Sequence, residues 1–153
     1  MVEIGSATWD GRRGYTWATG AARFETWERS GVNLVGFGAA IEQALELGLE
    51  AVGERAFALG ARLRGQLATL PKVSTHDQGR DPCAIVTITV DGVAPEQARA
   101  ALAAAGINVT LTVPADDPLD TEQRALPPLV RLSPHYYNTE AELDRAVEVI
   151  AGL

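Results

Sequence analysis

The chain has 153 residues, 46% of them hydrophobic and 22% charged, which supplies the apolar matter for one core in one ordinary domain and argues against disorder. A formal net charge of -7 and a sequence pI near 4.8 argue against nucleic acid and anionic membranes as partners, since both require a basic face. No apolar run is long enough to span a bilayer, the opening M-V-E-I-G-S lacks the order of a signal peptide, and the lone Cys83 fits a reducing compartment, so a cytoplasmic location is expected.

Residues 1–30 read as an extended arm and junction, and residues 31–153 as a small domain. The arm is punctuated by glycines and carries Trp9, Tyr15 and Trp17, which is too much aromatic surface for a solvated tail. Ser30 stands where it would cap a helix over 33–47, with Leu34, Phe37, Ile41, Ala44 and Leu45 at helical spacing. Gly48 ends that helix. A second runs over 49–70 on Leu49, Val52, Ala56, Leu59, Leu63, Leu67 and Leu70 until Pro71 stops it. Joined tightly at Gly48, the pair requires a further surface to cover both apolar stripes, and the strands that follow provide it.

Val73 to His76 is a short strand, and His76 to Pro82 is a turn-rich loop. Ala84 to Val90, A-I-V-T-I-T-V, alternates apolar residues with threonine as a half-buried strand does. Asp91-Gly92 turns the chain, Pro95 opens a helix with Ala98, Leu102 and Ala105 on its stripe, and Gly106 stops it. Ile107 to Val113 resumes a strand. Pro114 to Pro128, with four prolines and four acidic residues, reads as a long loop of the kind that is often functional.

Leu129 to Ser133 is a short buried strand carrying one charge, Arg131. An unpaired guanidinium is costly to desolvate, so Arg131 requires a partner, which is either an internal carboxylate or a ligand. Its forked donors suit a planar carboxylate. After Pro134 come His135, Tyr136 and Tyr137, which either line a site or staple the corner to the core, and then Thr139 and Glu142 form a capping box that starts the last helix. The expected class is α+β, a two-layer sandwich with helices on one face of a small, mainly antiparallel sheet. Its core is expected around Ile85, Ile88, Val90, Ile107, Val109, Val130, Leu143, Val147 and Ile150.

Other chemical motifs fail on their own terms. Gly31-x4-Gly36 is followed by Phe37 and Gly38 where a phosphate loop needs Lys and Ser or Thr, and Ile41 stands where a dinucleotide fingerprint needs its third glycine. Cys83 reads as a small buried hydrophobe rather than a nucleophile. Asp116, Asp117, Asp120 and Glu122 lack calcium-loop spacing and read as a solvated face, and the two histidines and one cysteine lack the spacing of a zinc site.

R-L-S-P-H-Y-Y-N-T-E-A-E-L-D, from Arg131 to Asp144, resembles the C-terminal signature of class V aminotransferase and cysteine desulfurase-like pyridoxal-phosphate enzymes. R-F-E at Arg23 to Glu25 with the later A-L-E-L-G, D-P-C-A-I-V-T-I-T-V-D-G, and A-A-A-G-I-N-V supply three more landmarks in the same order. The resemblance implies the small domain of a dimeric fold type I enzyme acting on an amino-acid substrate, with Arg131 holding the α-carboxylate and His135 and Tyr136 beside it. It also implies a pyridoxal-phosphate-binding large domain as partner and no covalent cofactor on this chain, because Lys72 lacks the surroundings of a cofactor lysine. Two departures point to the non-desulfurase branch of lyases, transferases and epimerases. Thr110 to Leu129 contains no persulfide cysteine, and Thr26-Trp27-Glu28 stands where relatives have Gly-Thr. The remaining expectation is a stand-alone carboxylate-binding or dimerisation module derived from that domain.

Overall fold

The computed structural model describes residues 5–11, 14–25 and 30–153, and the Thr26-Trp27-Glu28 segment lies outside them. The chain divides into two compact units, residues 1–46 and 47–153. In the first, the expected extended arm is a hairpin: β1 (Ala7–Gly11) pairs antiparallel with β2 (Gly14–Trp17), bringing Trp9 opposite Tyr15. Tyr15 and Trp17 lie two apart on one strand face and meet edge to face at 5.0 Å, while Trp9 remains 67% exposed. Helix α1 (Gly31–Leu47) starts where Ser30 Oγ accepts from the Asn33 N–H at 3.3 Å. None of its residues is buried, and apolar side chains such as Val32, Val35 and Phe37 are exposed around it rather than forming the single stripe read from the sequence.

Gly48, at φ 85°, takes the left-handed turn that separates α1 from α2 (Leu49–Leu67). The second unit then runs β3 (Val73–Thr75), β4 (Val86–Val90), α3 (Pro95–Ala104), β5 (Thr110–Thr112), α4 (Pro118–Arg124), β6 (Leu129–Leu132) and α5 (Glu140–Ala151). The strands form one antiparallel sheet in the order β3-β4-β6-β5, so β4 and β6 are its inner strands. Leu59, Leu63 and Leu67 of α2, Ala98 and Leu102 of α3, and Leu143, Ala146 and Ile150 of α5 pack on Val86, Ile88, Val90, Val130 and Leu132. This is the expected α+β arrangement, with helices covering one face of the sheet.

Four details differ from the sequence reading, each for a local reason. Helix α2 ends at Leu67 because the Thr69 hydroxyl and N–H both turn back to the Gln66 carbonyl. Strand β4 starts at Val86, and the carbonyls of Cys83 and Ile85 are bound instead by Arg64 Nη2. Ile85 is therefore no core residue: it shares the parity of Thr87 rather than Val86 and is 42% exposed, while Ile107, Val109 and Val147 only flank the core. The Pro114–Pro128 stretch is not all loop, since Asp117 Oδ1 accepts from the Asp120 N–H and Pro118 opens α4.

Gly60 is where α2 meets the sheet layer most closely. A Cβ there would lie 2.7 Å from the Ala84 Cα, a backbone atom that cannot swing aside, whereas a Cβ on Gly65 of the same helix would meet nothing within 4 Å. Gly60→Ala is expected to cost about 1–3 kcal/mol by overpacking, and Gly65→Ala to stabilise by roughly 0.5–1 kcal/mol through helix propensity. Urea unfolding of the two variants checks the opposed signs.

Candidate functional site

The face of the sheet turned away from the core helices is polar because V-T-I-T-V sends its threonines there. Register then aligns three strands: Thr87 of β4 and Thr110 of β5 both pair with Arg131 of β6. Arg131 is thus the middle member of a Thr-Arg-Thr row on an inner strand, within β6 rather than at its end. Its Nε is buried and has no hydrogen-bond partner among the described residues, and none of the ion pairs among them includes it. The internal carboxylate weighed from sequence is not found there.

The threonine beside Arg131 is fixed. Asp77 Oδ1 accepts from both the Thr87 N–H at 2.8 Å and the Thr87 hydroxyl at 2.7 Å, and Arg64 Nε donates to Asp77 Oδ2 at 2.8 Å. Both side chains of that pair are largely buried, at 17% and 13% exposure, so the carboxylate has four lone-pair directions and fills most of them with protein donors. His76 Nε2 lies 2.9 Å from the Thr89 hydroxyl, and burial, then the nearby Arg124 guanidinium, hold its pKa below the usual imidazole value. Arg124 ties α4 to the same place, donating to the His76 carbonyl at 2.7 Å and to Asp120 at 2.8 Å. A cleft of about 370 Å³ opens on this face, lined by residues that include His76, Thr87, Thr112, Arg124 and Leu129.

The corner after β6 is a separate small construction. Pro134 is buried, the His135 N–H donates to Asn138 Oδ1, and the Asn138 N–H donates back to the His135 carbonyl, each at 2.9 Å. The rings of His135, Tyr136 and Tyr137 pack on one another at 4.9–5.4 Å, with Tyr136 half-buried and His135 and Tyr137 exposed. Thr139 and Glu142 close the capping box that was legible in sequence. Of the other residues singled out from sequence, Cys83 is exposed rather than a buried hydrophobe, because it lies outside β4. Lys72 is exposed in the turn before β3. The sequence reading missed Asp77, Arg64, Thr87 and Thr110. Only the threonine alternation hinted at them, and pairing register was needed to bring them beside Arg131.

A profile of the family Aminotransferase class-V matches residues 3–146. The chain belongs to that family. Solved structures share the fold: an apo cysteine desulfurase from Thermococcus onnurineus NA1 (TM-score 0.77, 21% identity, 100% of this chain and 39% of that one) and the S-sulfonic acid form of the cysteine desulfurase CsdA from Escherichia coli (0.75, 18%, 98% and 37%). A third is the cystine C-S lyase C-DES in complex with its product cysteine persulfide (0.70, 21%, 99% and 38%). This chain therefore spans 37–39% of the length of those proteins. A C-DES variant has also been solved with glycine covalently linked to its pyridoxal-phosphate cofactor. No curated protein matches.

The capping box generates a pH test. The Thr139 N–H, then the side chains of Asn138 and Thr139, lower the Glu142 pKa. A depressed carboxylate contributes stability that is present above its unfolded pKa and lost as pH falls through the folded one. Thr139→Ala should cost roughly 0.5–2 kcal/mol at neutral pH, and its deficit relative to the unaltered chain should shrink as the solution is acidified through and below the carboxylate range. Melting temperatures across that range check it.

Proposed function

We propose that this chain is the C-terminal small domain of a pyridoxal-phosphate-dependent class V enzyme of the non-desulfurase branch. The enzyme is a lyase, transferase or epimerase acting on an amino acid, and Arg131 grips the substrate's α-carboxylate. Residues 1–30 form the junction to a large domain, and residues 31–153 the small domain. The observation that carries this reading is the buried Arg131 Nε, without a hydrogen-bond partner among the described residues and set between Thr87 and Thr110 on an inner strand. A guanidinium left unsatisfied inside the chain costs stability and persists where a ligand completes it. His135 and Tyr136 stand at the following corner as neighbours of the substrate site.

The residues present fit the substrate end of such a site and not the cofactor's anchoring end. Lys72, the one lysine, is exposed in a turn, whereas a Schiff-base lysine is activated by burial or a neighbouring charge. In the complete enzyme the large domain holds pyridoxal phosphate, which supplies an electron sink for chemistry at the amino acid's Cα. This chain's part is to fix the carboxylate and thereby orient the amino end toward the cofactor. The exposed Lys72 equally favours a second reading, a stand-alone module that keeps the carboxylate grip or serves dimerisation. The lone exposed thiol of Cys83 supports placing the protein in the reducing cytoplasm.

Each charge-assisted hydrogen bond contributes about 1.5–3 kcal/mol, and ~1.4 kcal/mol is tenfold, so Arg131→Ala in the complete enzyme should raise KM roughly 10–100-fold or more. Arg131→Lys should recover only part, because one ammonium cannot make a two-pronged contact. The internal ion-pair alternative requires the opposite pattern, an early-melting variant with normal capture per folded molecule. Because its Nε has no hydrogen-bond partner to lose among the described residues, Arg131→Met should leave the melting temperature of the isolated chain unchanged or raise it.

The proposal includes a homodimer. Trp9, Trp17, Phe37 and Leu45 are 49–67% exposed, and apolar surface of this extent seeks cover. Sedimentation of the isolated chain should show association that grows with concentration, and a strict monomer at high concentration would contradict it.

A further inference from the structure

Beside Arg131, on the same face of the sheet, the structure holds a cleft that the carboxylate grip does not use. Its floor is Ile85, Thr87, Thr112 and Leu129. Thr87 is the cross-strand partner of Arg131, Thr112 pairs with Leu129, and Leu129 precedes Arg131 by two residues on the same strand face. The cleft therefore begins one residue pair away from the guanidinium. At about 370 Å³ it lies in the size range of small-molecule pockets, roughly 300–1,000 Å³.

The charges around it are already paired. Arg64 is neutralised by Asp77 and Arg124 by Asp120, each at 2.8 Å. His76 stays neutral toward lower pH than usual, through burial and the proximity of Arg124. Asp117, at the exposed rim, is engaged in capping α4. With Arg131 taken by the α-carboxylate, an acidic side chain would find no free arginine or lysine among the described residues that line the cleft and would meet three carboxylates, Asp77, Asp117 and Asp120. A basic one would gain at most an exposed pair with Asp117, worth about 0–1 kcal/mol. Leu126, Leu129, Ile85 and Pro82 offer apolar contact instead.

We infer that this cleft receives the side chain of the amino acid whose carboxylate Arg131 holds, and that it selects neutral side chains of leucine or methionine size over acidic ones. The inference rests on the proposed grip and adds the class of substrate. Leu129, Leu126 and Ile85 are then specificity-determining residues, and the Asp77-Arg64 and Asp120-Arg124 pairs keep the cleft free of net attraction for a charged substrate.

Cys83 makes the inference testable without altering the cleft, because it is the one cysteine of the chain, is exposed, and lines the cleft. Its alkylation by iodoacetamide is followed by mass spectrometry on the 153-residue chain, with L-leucine, L-methionine, L-aspartate or acetate present. The Arg131 Nε–H resonance is recorded in parallel as an independent report of carboxylate capture. L-Leucine and L-methionine should move the Arg131 resonance and slow alkylation, by about tenfold at ten times the dissociation constant, since occupancy of one site scales as 1 + [L]/Kd. Acetate should move the resonance and leave the thiol unprotected, and Arg131→Ala should abolish protection by leucine. A moved resonance with unchanged alkylation would overturn the cleft assignment and leave the grip standing. Protection by aspartate equal to that by leucine would overturn the selectivity. If neither signal responds to any of the ligands, the grip falls and the cleft assignment with it.

Discussion

A cation on an inner strand is the constraint around which the second unit is arranged. Arg131 occupies β6 between β4 and β5, where most proteins place an apolar or small polar residue, and no described residue satisfies its buried Nε. Such a position is tolerable only because the rest of the sheet face is built for it. Threonines flank the arginine on both neighbouring strands. Asp77 is committed to Thr87 and Arg64. Asp120 is likewise paired, with Arg124, and a carboxylate free to swing would neutralise a nearby guanidinium.

The opposite face supplies the stability that this arrangement gives up. Leu59, Leu63, Leu67, Leu102 and Ile150 are almost wholly buried against Val86, Ile88 and Val130, so the two sides of one thin sheet separate the work of holding the fold from that of presenting polar groups. Period-two alternation makes the division possible, since each residue of β4 serves one side only. On the outer side of the helices, Arg62 reaches Glu140 and Asp144, with Gln66 also donating to Asp144 at 2.6 Å, which keeps the start of α5 against α2. The Arg62 ion pairs are exposed and serve register more than energy.

The family assignment and this geometry complement each other. The fold is shared with proteins that are much longer, of which this chain spans 37–39%. The segment 110–129 contains no cysteine, and α4 stands within it, tied by Arg124 to the β3–β4 connection. That connection couples two loops on the polar face and gives the cleft beside Arg131 a fixed wall.

Much was legible in the sequence because it is encoded over short distances. The capping box of Thr139 and Glu142, the stop at Gly48, the Ser30 cap and the alternation of V-T-I-T-V each depend on residues a few positions apart, so local chemistry alone decided them. The need of Arg131 for a partner was equally readable, since it follows from desolvation. Tertiary structure alone decided which groups stand beside it. Asp77 and Thr87 are ten residues apart and Thr87 and Arg131 forty-four, and only strand register places them in one row. The exposure of Ile85 and Cys83 was likewise settled at a distance, by Arg64 capturing the backbone before β4. Composition sets which residues can form a strand, but the competition of a remote guanidinium for its carbonyls sets where the strand begins.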